Sequence, residues 1–90
     1  MLERDIEQYL VEQVEARGGQ AHKIKFIGRR GAPDRLVIMP DGVVHLVELK
    51  RPGGRLSPAQ HRFRASLPSG TDCAVLWSIA DVDNWLVLEL

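Results

Sequence analysis

The most constraining feature of this sequence is a pair of apolar runs separated by a short turn. Residues 34–39 read DRLVIM and residues 43–50 read VVHLVELK, and both runs are rich in the β-branched residues that favour strands. Between them stands Pro40-Asp41-Gly42, whose proline and glycine are typical turn residues. The sequence therefore predicts an antiparallel β-hairpin, around which the rest of the chain must pack.

Two helices are predicted, one on each side of the hairpin in the sequence. Residues 2–17 carry apolar side chains at helical spacing, and Gly18-Gly19 follows as a glycine pair that ends a helix. The second predicted helix covers residues 58–67. Ser57 can cap its first turn, and Gln60 completes a capping box with that serine.

Three further segments complete the predicted order. Residues 20–27 alternate polar and apolar side chains, which indicates a strand, and residues 72–78 read as a buried strand. We expect one helical turn at residues 80–85 and a last short strand at residues 86–90. The order αβββαβ predicts an α/β fold with a small mixed sheet flanked by helices. The hairpin must pair antiparallel, whereas a crossover through the second helix favours parallel pairing.

The size and composition of the chain limit what it can be. With 90 residues, of which 44% are hydrophobic, the chain is expected to form a single domain over residues 1–90. A lone cysteine, Cys73, excludes an intrachain disulfide and a zinc site built on thiolates. No apolar run approaches the roughly 20 residues that span a bilayer, and the amphipathic N-terminus does not resemble a signal peptide. We therefore expect an intracellular protein with no membrane partner.

Charged residues are unevenly distributed along the chain. The net charge is zero, yet residues 21–64 hold ten basic residues and three acids, a balance of +7, and the remainder has a balance of −7. If the two parts lie on different faces, the basic face would suit a phosphate backbone. If they interleave in space, the charges cancel and the pattern carries no function.

One end of the predicted hairpin brings together residues that could carry chemistry. Strand side chains alternate, so Glu48 and Lys50 share a face while His45 lies on the other, and Asp34 opens the neighbouring strand. Two carboxylates held together repel unless a cation compensates, and Mg²⁺ suits such a pair. Lys50 could then orient a water or neutralise a phosphate. An isolated Glu-x-Lys pair would more often be a solvated part of an edge strand.

The stretch GRRGAPDRLVIMPDGVVHLVELKRPGGRLSPAQ, residues 28–60, resembles the VRR-NUC family of virus-type replication and repair nucleases. This family lies within the PD-(D/E)xK superfamily, and the likeness is to its stand-alone phage and prophage members. The family's PD matches Pro33-Asp34, its ExK matches Glu48-Leu49-Lys50 and its helical glutamine matches Gln60. The resemblance implies a restriction-endonuclease-like core and a protein encoded by a phage or prophage and acting in the bacterial cytoplasm.

The resemblance also implies roles for individual residues. Asp34, Glu48 and the backbone carbonyl of Leu49 would hold the metal, Lys50 would position the attacking water, and Gln60 would steady Lys50 or that water. The superfamily uses a glutamate on the first helix, and we assign this role to Glu7 rather than to Glu3. Contacts with nucleic acid are expected from five arginines around the site: Arg29, Arg30, Arg35, Arg51 and Arg55.

The function expected from the resemblance is a metal-dependent DNA endonuclease that hydrolyses phosphodiesters with a metal-activated water, using Mg²⁺ or Mn²⁺. A homodimer that resolves four-way (Holliday) junctions is the favoured form, because cutting two strands requires two sites. A flap or nicking nuclease, or a nuclease with a helicase partner, is the alternative within the enzyme class. From another class, a non-catalytic DNA-binding accessory protein is the alternative; it predicts loss of site residues, whereas the expected set is complete. A structural dimerisation module would not explain the carboxylates beside a basic glycine loop.

Overall fold

The predicted hairpin forms the middle of a four-stranded sheet with the order β1-β2-β3-β4. The computed structural model describes residues 1–89, with side chains as far as Leu88. The strands are β1 (Gln20–Lys23), β2 (Arg35–Ile38), β3 (Val44–Leu49) and β4 (Cys73–Leu76). The helices are α1 (Glu3–Ala16), α2 (Pro58–Ser66) and α3 (Ile79–Glu89).

The sheet is mixed, as the sequence predicts. The strands β1, β2 and β3 pair antiparallel, and Arg35 of β2 lies opposite Val47 of β3. The chain then crosses through α2 and returns as β4, which pairs parallel to β3. Since side chains alternate along β3, Glu48 lies on one face of the sheet and its neighbours Val47 and Leu49 lie on the other.

The face that carries Val47 holds the main hydrophobic core. Helix α1 buries Ile6, Leu10 and Val14, which are four residues apart and therefore lie along one side of the helix. Helix α3 packs beside it, and the two helices are also joined by a hydrogen bond from the Tyr9 hydroxyl. The remaining core residues are Val37, Met39, Val47, Leu49, Leu76, Val82, Trp85 and Leu86.

Helix α2 covers the opposite face of the sheet, on the side of Glu48. Its predicted capping box is confirmed, because the Gln60 N–H donates to Ser57 Oγ at 3.1 Å and the Ser57 N–H donates to Gln60 Oε1 at 2.7 Å. The helix buries only Phe63. Its first turn is therefore fixed locally by sequence, and its position on the sheet depends on a few specific contacts.

The C-terminal segment corrects the sequence prediction. Residues 79–89 form one continuous helix instead of a helical turn followed by a strand, and Leu90 lies outside the described residues. The Asp81 N–H donates to Ser78 Oγ at 3.0 Å, which caps the start of the helix. Val82, Trp85 and Leu86 face the core at spacings of three and four residues. This helical period was present in the sequence, but the β-branched and leucine-rich composition concealed it.

The first strand is shorter than predicted, ending at Lys23 instead of residue 27. The Ile24 N–H still donates to the carbonyl of Asp34 at 2.9 Å, so the two ends of the following loop meet. Phe26 then turns away to pack edge-on against Phe63 of α2, with 5.4 Å between ring centroids. We refer to residues 24–34 as the β1–β2 loop.

The acidic helices and the basic helix lie on different faces of the sheet. Helices α1 and α3 together carry eight acids and one base, and both lie against the Val47 face. Helix α2 and the loop before it, residues 50–66, carry only basic charges. The helices on the two faces therefore differ in charge, although Arg35 lies on the acidic side and pairs with Glu7. We call the face covered by α2, which carries Glu48, the basic face. Within the described chain, none of the helices is long and apolar enough to cross a membrane.

Candidate active site

The register of the hairpin brings two carboxylates together. Arg35 lies opposite Val47, so Asp34, one residue earlier, lies beside Glu48, one residue later. Both side chains point to the face covered by α2, since alternate residues of a strand share a face. The predicted meeting of Asp34 and Glu48 at one end of the hairpin is therefore a direct consequence of the turn at residues 40–42.

The Glu48 carboxylate is held in an unfavourable environment. Only 9% of this residue is exposed, and the pKa of Glu48 is raised to about 7, with burial as the largest cause. The negative charge of Asp34 contributes to this rise, and a smaller upward contribution comes from Glu3. The positive charge of Lys50 and a hydrogen bond from Gln60 act in the opposite direction without restoring the ordinary value. The site is therefore deficient in positive charge.

Gln60 lies at the site and contacts Glu48. Its Nε2 donates to Glu48 Oε1 at 2.9 Å, while its Oε1 accepts the capping bond from the Ser57 N–H. The amide is thus held at both ends, and its orientation is fixed by the first turn of α2. Gln60 is thereby placed to orient the Glu48 carboxylate, and the role of steadying Lys50 or a water stays a prediction.

Lys50 is the first residue after β3. Its N–H donates to the carbonyl of Leu76 at 2.9 Å, which holds this position at the end of the sheet. The side chain is half-buried, and its charge acts on Glu48. The structure thus gathers Asp34, Glu48, Lys50 and Gln60 at one place on the basic face.

The glutamates of α1 have different surroundings. Glu7 Oε1 accepts from Arg35 Nη2 at 3.1 Å, in a pair whose side chains are 22% and 14% exposed. Arg35 is the neighbour of Asp34, so this ion pair fixes α1 against the start of β2. The acid of α1 whose charge reaches Glu48 is Glu3, one turn earlier. A catalytic role for Glu7 stays a prediction, and Glu3 is the residue that sequence reasoning set aside.

The five arginines expected to bind nucleic acid fall into two groups. Arg29 and Arg35 are engaged within the fold: Arg29 donates to Ser66 Oγ at 2.8 Å and lies 4.9 Å from the centre of the Phe63 ring. Arg35 is bound to Glu7. Three others are exposed on loops beside the site, namely Arg30, Arg51 and Arg55. These three are the better placed to contact a phosphate backbone.

A glycine of the β1–β2 loop lies against the backbone of α2. Gly31 has a φ of +82°, and a Cβ at this position would lie 2.2 Å from the carbonyl oxygen of Ala59 and 2.6 Å from the nitrogen of Gln60. No side chain can occupy that space. Gly31 therefore allows the segment that ends in Asp34 to pack against the turn of α2 that holds Gln60.

We expect Gly31→Ala to destabilise the chain by about 2–4 kcal/mol, because positive φ strain adds to a backbone overlap. The first turn of α2 must shift, so cleavage activity should fall further than stability alone explains. The matched control is Gly28→Ala, since Gly28 has a φ of +81° in the same loop with nothing within 4 Å. Urea unfolding of both variants tests this, and equal destabilisation would show that the contact with α2 is unimportant.

The donor set of the site fits a hard divalent cation. Two carboxylates lie together at a place short of positive charge, and oxygen ligands of this kind suit Mg²⁺ or Mn²⁺. Among the described side chains, no group of three or more His, Cys, Asp or Glu residues could hold a metal. A bound ion would therefore keep several waters, as Mg²⁺ does and structural zinc does not.

A mixed αβββαβ core with an acidic pair and a lysine at the end of its hairpin defines a nuclease of the restriction-endonuclease-like class. A solved structure described as "VRR_NUC domain" superposes on this chain with a TM-score of 0.86, at 36% identity and over 94% of each chain. The phage protein "Putative nuclease p44" of Acyrthosiphon pisum secondary endosymbiont phage 1 is 48% identical over 65 residues, which are 72% of this chain and 70% of that protein. A scan against models of protein families finds no match.

The chain belongs to the VRR-NUC family. Its fold and its relatives make it a nuclease, a hydrolase that acts on phosphodiester bonds. The sequence-based assignments of family, fold class and enzyme class are therefore confirmed.

Proposed function

We propose that this nuclease is a metal-dependent, structure-selective DNA endonuclease that works as a homodimer on four-way junctions inside a bacterial host. The observation that carries the proposal is the meeting of Asp34 and Glu48 beside Lys50, where the pKa of Glu48 is raised to about 7. A fold gains no stability from such an arrangement, so its presence favours a functional role.

The cation would be Mg²⁺ or Mn²⁺, held by the carboxylates of Asp34 and Glu48 and by the backbone carbonyl of Leu49. When bound, such an ion supplies Lewis acidity to a water and to the phosphate. Its binding would also displace the proton from Glu48, which removes the repulsion between the two carboxylates. Calorimetry in buffers of different ionisation enthalpy would detect that proton release.

The chain's own residues contribute orientation and charge. Lys50 would hold the attacking water in line with the scissile bond and offset negative charge that develops on the phosphate. Gln60 keeps Glu48 oriented through their hydrogen bond of 2.9 Å. The exposed Arg30, Arg51 and Arg55 would bind phosphates on either side of the bond, contacts that fix position without reading sequence.

The proposed junction preference and dimer follow from the size of the chain and from its family. The chain measures 33 × 30 × 22 Å, so one copy covers about one turn of duplex DNA. One active site per chain cuts one strand, and symmetric incision of two strands requires a second copy. The resemblance to stand-alone phage nucleases supports shape selection over base reading.

The test of this proposal is cleavage of a four-way junction, a flap, a duplex and single-stranded DNA in Mg²⁺, Mn²⁺ or EDTA. We expect paired, symmetric incisions in the junction with either metal, no cutting in EDTA and a dimeric mass by sedimentation. Preferential cutting of a flap or nicking of a duplex would keep the nuclease assignment but reject junction resolution. Cutting that depends on an added helicase would identify a partner-dependent nuclease.

A further inference from the structure

The β1–β2 loop exposes an isoleucine that the active site does not explain. Ile27 is 94% exposed, the largest fraction among the large apolar side chains of the described residues. Single exposed apolar residues are common, and exposure alone does not indicate a function. Here the surrounding loop is held in place, so the exposure is imposed by the fold.

Three contacts hold the loop against the body of the protein. Its ends meet where the Ile24 N–H donates to the carbonyl of Asp34. Phe26, the neighbour of Ile27, packs on Phe63, and Arg29 lies over the same ring while it donates to Ser66 Oγ. Phe26 thus packs against α2 while staying 37% exposed, and Ile27 next to it is left almost entirely in solvent.

The charges around Ile27 indicate the chemistry of its partner. Lys25, Arg29 and Arg30 lie within three residues of it, and no acid occurs in the loop before Asp34. Lys25 and Arg30 are exposed. An apolar side chain between the exposed basic residues Lys25 and Arg30 is unsuited to an apolar protein surface, and it matches a base step flanked by phosphates.

The loop also keeps Ile27 within reach of the DNA at the active site. Asp34 lies seven positions after Ile27, which corresponds to at most about 24 Å of chain. That distance spans roughly seven base pairs at about 3.4 Å each. A nucleic acid whose backbone lies at Asp34 and Glu48 can therefore present a nearby base step to Ile27.

We propose that Ile27 enters DNA between bases whose stacking is already interrupted, while Lys25 and Arg30 bind the phosphates on either side. This inference rests on the proposed function and adds a source for its structure selectivity. Separating a stacked base step costs free energy, and the cost is smallest at a branch point, where stacking is already broken. The wedge would thus favour branched DNA over continuous duplex without reading sequence.

The test uses a four-way junction with 2-aminopurine at the branch point and the Lys50→Ala protein in Mg²⁺, which should bind DNA without cutting it. We expect binding to raise the fluorescence, because the analogue brightens when it is unstacked. Ile27→Ser in that background should abolish the rise and weaken junction binding about tenfold, with duplex binding unchanged. Ile27→Met should restore both properties.

The matched control is Val44→Ser, which removes another exposed aliphatic side chain at the opposite end of the hairpin and should behave as the parent protein. An equal fluorescence rise with Ile27→Ser, or no rise in the parent, overturns the wedge. The wedge is also overturned if Ile27→Ser converts a dimer into a monomer, because Ile27 would then lie in an interface between copies of the chain. The nuclease proposal is judged separately, by wild-type cleavage of the same junction in Mg²⁺.

Discussion

We expect Lys50→Ala to lower kcat for DNA cleavage by roughly 10²–10⁴-fold while the chain stays folded. Lys50 follows the last residue of β3, its backbone is held by Leu76, and its half-buried side chain acts electrostatically on Glu48. A side chain held in this way can act in the transition state at little entropic cost. Single-turnover cleavage with saturating protein measures the effect, and thermal unfolding checks the fold.

Two comparisons separate the possible contributions of Lys50. Lys50→Arg keeps the charge but changes the geometry, so activity should stay well below wild type if the lysine positions a water. Arg62→Ala removes an exposed charge on α2, and it should raise KM modestly with little effect on kcat. A Lys50→Ala protein that cuts as fast as wild type would remove the lysine from the reaction.

The central part of the site could be predicted from sequence because it depends on local structure. Once Pro40-Asp41-Gly42 is recognised as a turn, the hairpin register follows, and Asp34 must lie beside Glu48. Gln60 could also be placed on α2, because the capping box with Ser57 is a local signal. Its hydrogen bond to Glu48 could not be predicted, since that contact joins residues from separate elements.

The acid contributed by α1 could not be predicted with the same certainty. Glu3 and Glu7 are four residues apart and share one side of the helix, so periodicity alone does not distinguish them. Which of the two glutamates lies near Glu48 depends on how far α1 extends along the sheet. In the structure Glu7 pairs with Arg35, and the charge of Glu3 acts on Glu48. That depth of packing is a tertiary property with no local signature.

The contacts of the β1–β2 loop could not be predicted from the sequence either. From sequence alone, the glycines of GRRGAP indicate a loop whose backbone amides could approach a phosphate closely. The structure gives Gly31 a different use, since its missing side chain admits the backbone of Ala59. Arg29 likewise lies over the Phe63 ring and donates a hydrogen bond to Ser66. A loop sequence reveals conformational freedom and charge, but the surface against which it packs is set by the rest of the fold.

The second large effect is expected from Glu48→Gln, which should abolish cleavage and yet stabilise the metal-free protein. The folded-state pKa of Glu48, about 7, lies above its ordinary value of 4.5. The folded chain therefore binds more protons than the unfolded chain between these pH values, so wild-type stability falls as pH rises from about 4.5 to about 7. Glutamine keeps an oxygen that can accept from Gln60 and carries no charge to repel Asp34.

At pH 8 without metal we expect Glu48→Gln to raise Tm by about 4–8 °C, which corresponds to about 1 kcal/mol for a domain of this size. The difference should shrink as pH is lowered towards 4.5, where Glu48 is protonated in wild type. Added Mg²⁺ should raise Tm for wild type but not for Glu48→Gln, because the ion requires the intact acidic pair. Glu15→Gln, which removes an exposed acid on α1, should leave Tm at pH 8 unchanged and keep the stabilisation by Mg²⁺. If Glu48→Gln were less stable than wild type at pH 8, Glu48 would be a structural residue whose burial does not serve catalysis.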